Sequence, residues 1–368
     1  MADQTSRRRL LKQSLLGSGL AAALNAPAQM PSTAPPAVPQ QLIQNLIRGA
    51  GGAQMIYVAA KLRIADHLKN GPKTVAELAA ITKTHEDTLY RLLRALASIG
   101  VFTEDEGMRF RLNAAAELLR SGVPGSLQAA AEVAGQDWMW RPWGALLHSV
   151  QTGETAFDHL YGKGTFDWFA EHPDAARLFD DFQAGITARS AKAVVAAYDF
   201  SAARKVVDVG GGDGTLIAEI LGGNPSVRGV LFDLDHVVAA ARTRLAPEIV
   251  RRCELTGGDF FKAIPAGGDI YTMKFILHDW NDARCQEILT TTRRAMSRKG
   301  RLLIVEDVVC GPNQPCGAKV GDILMLVRTG GRNRTEKEYR DLLSKGGFKT
   351  ARVITTSSQS IFEAMPGA

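Results

Sequence analysis

The chain has 368 residues, 45% of them apolar and 22% charged, which is ordinary for a globular protein and enough for about two or three domains. The net charge is +6, but Asp3, Arg7, Arg8, Arg9 and Lys12 supply half of it, so the body is too weakly basic to argue for nucleic-acid binding. Four cysteines make no disulfide framework at this length.

The N-terminal stretch SRRRLLKQSLLGSGLAAALNAPA has a basic start, a short apolar run and Ala26-Pro27-Ala28. That layout is a secretory signal over residues 1–28, with cleavage expected after Ala28. The consecutive arginines and RLLK resemble a twin-arginine signal; the other reading is a disordered basic tail. No run reaches membrane-spanning length, so no stable membrane association is expected. Residues 29–40 are rich in proline and small side chains and read as a linker.

From 41 to 125 the pattern is mainly helical. Thr74 is a candidate helix cap with Glu77 three residues on. THEDTLYRLLRALASIG opens on a capping Thr84, carries acids in its first turn and ends at Gly100. VFTEDEGMRFRLN then forms a hairpin around a glycine turn. Helix, helix, hairpin is a winged-helix arrangement. Glu86 and Asp87 sit where a recognition helix would meet phosphates, so packing or dimerisation is expected here and DNA binding is not.

Residues 126–200 are again helical and hold many aromatics, among them Trp138, Phe166, Phe169, Phe179 and Phe182. They read as a packed core between helices, or as the wall of an apolar pocket for a planar substrate.

From Lys205 the period changes. KVVDVG, RGVLFDLD, DIYTMKFIL and RLLIVEDV are short apolar runs separated by helical segments, the pattern of a doubly wound parallel α/β sheet. VVDVGGGDGT ends a strand and opens a helix. Its glycines, Gly210, Gly212 and Gly214, follow G-x-G-x-G. Thr215 replaces the third glycine of a dinucleotide fingerprint, and no lysine follows as in a phosphate loop. Asp208 faces the ligand from just before the loop and suits an ammonium group. Asp233 ends the next strand, where a carboxylate can accept ribose hydroxyls. A nucleoside with a cationic amino-acid tail and no phosphate describes S-adenosylmethionine. Cys310 and Cys316 flank GPNQP; a metal pair would want tighter spacing and further ligands, so both are expected as unpaired thiols.

With KLRIADHL, YRLLRALASIGVF, VVDVGGGDG, GGDFF, MKFILHDWND and RTEKEYRDLL, the sequence from about Leu42 resembles the small-molecule O-methyltransferases of the caffeate, hydroxyindole and bacterial polyketide type. The resemblance implies a Rossmann-like cofactor domain over 201–368, preceded by a mostly helical, winged-helix-like dimerisation domain, and hence a homodimer. It implies methyl transfer from S-adenosylmethionine to the hydroxyl of a small aromatic or polyketide-like acceptor, without metal. Gly210 and Gly212 would meet the cofactor with the backbone, Asp233 the ribose, Asp259 and Phe260 the adenine, and Lys274 would also contact it. Phe260 stands where the family often has methionine. His278 would be the general base, with Glu306 orienting the imidazole.

Two positions depart from the family pattern. Asn333 stands where a second acid is usual, and an amide cannot neutralise an imidazolium. Gln183 stands near a usual methionine. Phe179, Phe182, Gln183 and Asp279 are the candidate pocket residues. The alternative reading is a protein of this fold that binds S-adenosylmethionine but catalyses another reaction or has lost methyl transfer. The signal points to export to the periplasm, whereas supply of the cofactor argues for the cytoplasm.

Overall fold

The computed structural model describes residues 39–367. The expected signal and most of the expected linker lie outside the described residues; Pro39 and Gln40, assigned to the linker, already belong to the helix Pro39–Lys61.

The first part is the expected winged-helix unit. Thr74 caps the helix Val75–Thr82 in a full capping box with Glu77. The helix Glu86–Ser98 buries Leu89, Leu93 and Leu96, one face at helical spacing. Its cap is not Thr84, as the sequence suggested, but His85, which makes no side-chain cap hydrogen bond. The reason lies upstream. Lys83 leaves the preceding helix at φ 55° and the Thr84 N–H bonds back to Ala79 O, so Thr84 closes one helix instead of starting the next. Strands β1 (Lys73–Thr74), β2 (Thr103–Asp105) and β3 (Arg109–Arg111) form an antiparallel sheet in the order β1-β3-β2. Phe102 and Phe110 plug it onto the helices at 2% and 0% exposure.

Between Gln128 and Ala197 six helices follow. The longest, Pro173–Ala197, starts on a proline at its first turn, where no N–H is required. Trp138, Phe157, Phe169 and Phe179 form one buried cluster, with Tyr161, Phe166, Trp168 and Phe182 packed against it. Trp138 meets Phe169 edge-on at 5.1 Å.

The third part is a seven-stranded sheet. Strands β4 (Lys205–Val209), β5 (Arg228–Asp233), β6 (Cys253–Gly257), β7 (Ile270–Lys274) and β8 (Arg301–Glu306) are parallel, whereas β9 (Phe348–Thr355) and β10 (Ser360–Pro366) pair antiparallel. The order is β6-β5-β4-β7-β8-β10-β9. Alternate residues face two separate cores: Val206, Leu303 and Val305 one way, Val207, Leu302 and Ile304 the other. Both faces are covered, which is why these strands read as unbroken apolar runs. Strands are added outward in one direction from β4 (β5, β6) and in the other from β7 (β8), and the crevice at the C-terminal ends of β4 and β7, where the strand order switches, is where sheets of this kind bind ligands.

One expectation is corrected. Cys310 and Cys316 are not free thiols; they are joined in a disulfide with a Cα–Cα separation of 6.0 Å. The proline- and glycine-bearing loop between them turns through Asn313 at φ 60° and brings the two side chains within bonding geometry. Cys253 and Cys285 are free and buried.

Candidate active site

The strand β4 delivers the glycine loop. Gly210, Gly212 and Gly214 have φ of 67°, 60° and 83°, a left-handed run that L side chains resist. A Cβ on Gly210 would also stand 2.3 Å from Ile276 Cδ1. The loop is tied down by its own main chain: Gly210 N–H donates to Phe232 O at 2.8 Å. Gly212 N–H donates to Asp233 Oδ2 at 2.9 Å, and Leu234 N–H to Oδ1 at 2.7 Å. Asp233 therefore orders the loop as well as facing the crevice. A carboxylate has about four lone-pair sites, so it keeps capacity for a ligand.

A cavity of about 450 Å³ opens at these strand ends, within the size range of small-molecule sites. On one side it is lined by Asp208, Gly210, Gly212, Asp233, Asp259, Phe260 and Lys274. On the other it is lined by Phe166, Phe169, Phe179, Gln183, Asp279 and Trp280. All seven residues assigned to the cofactor from the sequence are thus brought together. Of the four assigned to the acceptor, Phe179, Gln183 and Asp279 line it. Phe182 does not. It packs on the aromatic cluster and faces a different groove on the far side of the long helix, because three helical residues from Phe179 turn it about a sixth of a revolution away.

Asp208 forms the floor at 1% exposure. Its Oδ1 accepts the Thr272 hydroxyl at 2.6 Å, and its Oδ2 has no partner among the described residues. Burial pushes this carboxyl up to about 7. An enclosed carboxylate oxygen without a donor suits a cationic group from outside the chain. Asp233 is also raised by burial, against the pull of its two N–H donors. Lys274 Nζ donates to Thr187 Oγ1 at 3.2 Å, and burial pulls its ammonium down to about 8. Asp259 Oδ1 accepts Phe261 N–H at 2.9 Å.

His278 sits on the short 3₁₀ turn Leu277–Asp279 after β7. Its Nδ1 lies 3.3 Å from Asn333 Oδ1 and 3.5 Å from Glu306 Oε2. Glu306, ending β8, is fully buried; its Oε1 takes the N–H groups of Ile276 and His278 at 3.2 and 3.3 Å. Burial pushes it up to about 7, against the neighbouring His278. The other ring nitrogen, Nε2, is 3.8 Å from Asp279 Oδ1. The imidazole itself lies just behind the cavity surface, which at this point is formed by Asp279 and Ile276. Asn333 Nδ2 donates to Ala318 O at 2.9 Å, which fixes its oxygen toward the histidine.

Several contributors escaped the sequence reading. Arg334, 1% exposed, donates to Leu277 O, Trp280 O and Asp282, clamping the turn on both sides of His278. Gly331 lies flat on the same turn; a Cβ there would be 2.0 Å from His278 O. Thr272 follows the apolar rhythm of a strand and carries no sign of its bond to Asp208. Asp180 lines the cavity, and burial together with Asp233 pushes it up to about 7; its place in an acidic pair on a helix gave no hint of that.

Comparison with known proteins agrees with this geometry. Residues 143–349 match the O-methyltransferase domain family, and residues 45–122 match the O-methyltransferase dimerisation domain. Phenazine O-methyltransferase PhzM of Lysobacter antibioticus is 47% identical over 323 residues, covering 87% of this chain and 94% of that protein. The mitomycin 7-O-methyltransferase MmcR structure superposes with a TM-score of 0.84 at 36% identity, covering 89% of this chain and 98% of that one. The O-methyltransferase NcsB1 from neocarzinostatin biosynthesis, solved with S-adenosylmethionine and 2-hydroxy-5-methyl naphthoic acid, superposes with a TM-score of 0.76 at 31% identity, covering 86% of this chain and 96% of that one. The chain belongs to the S-adenosylmethionine-dependent O-methyltransferase family, whose members methylate small aromatic and natural-product acceptors.

Proposed function

We propose that the protein methylates a hydroxyl on a planar aromatic acceptor with His278 as general base and without a metal. The observation that carries this reading is the arrangement around His278: Nδ1 is flanked by Glu306 Oε2 and Asn333 Oδ1, leaving Nε2 on the side of the cavity-lining Asp279.

Asp208, Gly210, Gly212, Asp233, Asp259, Phe260 and Lys274 would hold S-adenosylmethionine, the unpartnered Oδ2 of Asp208 receiving a cationic group. When bound, the cofactor supplies a methyl group already activated by its sulfonium. The chain must then align the acceptor oxygen and remove its proton. A phenol of pKa ~10 is not ionised at neutral pH, whereas imidazole at about 6.5 is a competent base. Asn333 Oδ1, within hydrogen-bond reach of Nδ1, favours the tautomer that leaves Nε2 free, and the Glu306 Oε2, 3.5 Å from Nδ1 and without a hydrogen-bond partner among the described residues, would when ionised stabilise the imidazolium that forms. Phe166 and Trp280, stacked with centroids 5.6 Å apart, and Phe179 offer flat apolar faces to the acceptor ring. The relatives named for phenazine, mitomycin and naphthoate chemistry support a polycyclic aromatic acceptor.

The organisation inferred from sequence supports a homodimer through residues 41–125, with 126–200 as the acceptor wall and 201–368 as the cofactor domain. The helix Pro39–Lys61 leaves Leu42, Ile43, Leu46 and Ile47 exposed, an apolar face suited to a second copy. A second reading, cofactor binding without methyl transfer, is favoured by the neutral Asn333 and by the position of His278 behind the cavity surface.

The test is incubation with labelled S-adenosylmethionine and a panel of phenols, hydroxynaphthoates and hydroxyphenazines. Label in an ether product, lost in His278→Ala, supports the proposal. Cofactor binding with no transfer to any acceptor sinks it in favour of the second reading.

A further inference from the structure

Arg328 ends the helix Gly317–Arg328 and is 3% exposed. Burial pulls its guanidinium below the ordinary arginine range, opposed only by the charge of Asp279. Its Nε is enclosed and has no hydrogen-bond partner among the described residues. Its Cζ lies 4.4 Å from the Phe179 ring centroid, and its carbonyl accepts the Thr165 hydroxyl. Phe179, Thr165 and Asp279 all stand on the cavity surface, with the guanidinium one side chain behind it.

A buried arginine is paired as a rule, because its charge is costly to strip of water. A helix C-terminus and an aromatic face each favour a cation. Neither supplies the planar pair of oxygens that a guanidinium fork fits. The position adjoins Phe179 and Thr165 on the aromatic side of the cavity. Asp279, beside it, is 8% exposed and lines the cavity; it calls for a donor. A ligand that satisfies both carries one carboxylate and, next to it, an O–H or N–H. A doubly charged group such as a phosphate would be repelled by Asp279.

We propose that Arg328 selects the acceptor: it takes the carboxylate of a hydroxylated aromatic acid whose ring lies on Phe179 and whose hydroxyl meets the His278–Asp279 turn. The inference rests on the methyl-transfer reading and names its substrate class.

The experiment uses the full chain with S-adenosylhomocysteine bound and measures acceptor affinity by calorimetry. The probes are hydroxybenzoic, hydroxynaphthoic and hydroxyphenazine carboxylic acids, each beside its carboxamide. The wild type is expected to bind the best acid at least tenfold more tightly than its amide. Arg328→Leu should abolish that preference, and Arg328→Lys should keep part of it. Affinity for S-adenosylhomocysteine should be the same in all three, which separates recognition from a fault in folding. An equal preference in the wild type and Arg328→Leu overturns the proposal, as does a wild type that binds none of the acids or prefers the amides. If S-adenosylhomocysteine itself fails to bind the wild type, the methyl-transfer reading falls instead.

Discussion

At the strand ends the cavity wall is held by the main chain. Gly210 and Gly212 bond to Phe232 and Asp233, and the residues that matter lie in a few consecutive runs. At the other end the wall is made of side chains from distant segments: Phe179 on the long helix, Asp279 after β7, Asn333 before the helix Glu336–Lys345. At the first end the backbone is set before any ligand arrives, and the Asp208 Oδ2 is left open for one. The second holds the buried Arg328, whose Nε has no hydrogen-bond partner among the described residues, beside Asp279. On the proposed assignment, a cofactor common to the family would meet a wall set by backbone, and an acceptor one built from side chains of distant segments.

That division can be broken by substitution. His278→Ala should lower transfer by about 10²–10⁴-fold, read with labelled cofactor, while calorimetry shows unchanged S-adenosylhomocysteine affinity. A parallel loss of cofactor affinity would erase the distinction between the two ends. Gly210→Ala should act the other way round. Its left-handed φ and its contact with Ile276 cost about 1–3 kcal/mol of stability, and cofactor binding should weaken by about tenfold while the apo-protein's affinity for acceptor is kept. Acceptor affinity falling as far as cofactor affinity would show that the ends are one unit.

Asp208 gives a sharper test through pH. Its carboxyl is held near 7, above the ordinary ~3.9, so the native state binds this proton more tightly than the unfolded chain does. Its contribution to stability is full below pH ~4 and is lost as pH rises through about 7. The protein without cofactor should therefore melt lower at pH 8 than at pH 5, and Asp208→Asn should remove part of that fall. Glu306, also raised to about 7, should account for a further share. A melting temperature that rises from pH 5 to 8, or a fall untouched by Asp208→Asn, would contradict the burial argument. Smallest is Asn333→Asp. A carboxylate 3.3 Å from Nδ1 favours the imidazolium, so the acidic limb of the kcat profile should move up by about one pH unit. An unmoved limb would uncouple Asn333 from the base.

The same contrast explains what the sequence made legible. β4, β5, β7 and β8 announce themselves as apolar runs, and the glycine loop could be placed against Asp208 and Asp233 because all lie within 26 residues of chain, Asp208 to Asp233. β6 was missed because CELTG has a single deeply buried residue, Cys253. The β9–β10 hairpin was missed because β9 is a mostly exposed edge strand. Phe182 was misassigned because composition does not say which side of a helix faces the cavity. Arg328, Arg334 and Thr272 were invisible for one reason: Phe179, Asp282 and Asp208, the partners that place them at the site, lie 52 or more residues away. The disulfide was misread because spacing alone does not show that a loop folds back on itself.

Arg334 has a consequence for motion. Its guanidinium grips the backbone on both sides of His278, while the residue before it, Asn333, touches the imidazole. The imidazole and the amide beside it are therefore held on one cross-braced body with β7 and β8. The long helix that carries Phe179 and Gln183 is anchored separately, by Ala191 and Val194 in the core beside β4 and β8, by Asp181 on Arg244 and by Thr187 on Lys274. If His278 is the base, its surroundings would not have to be rebuilt in each turnover, whatever the rest of the wall does when ligands exchange.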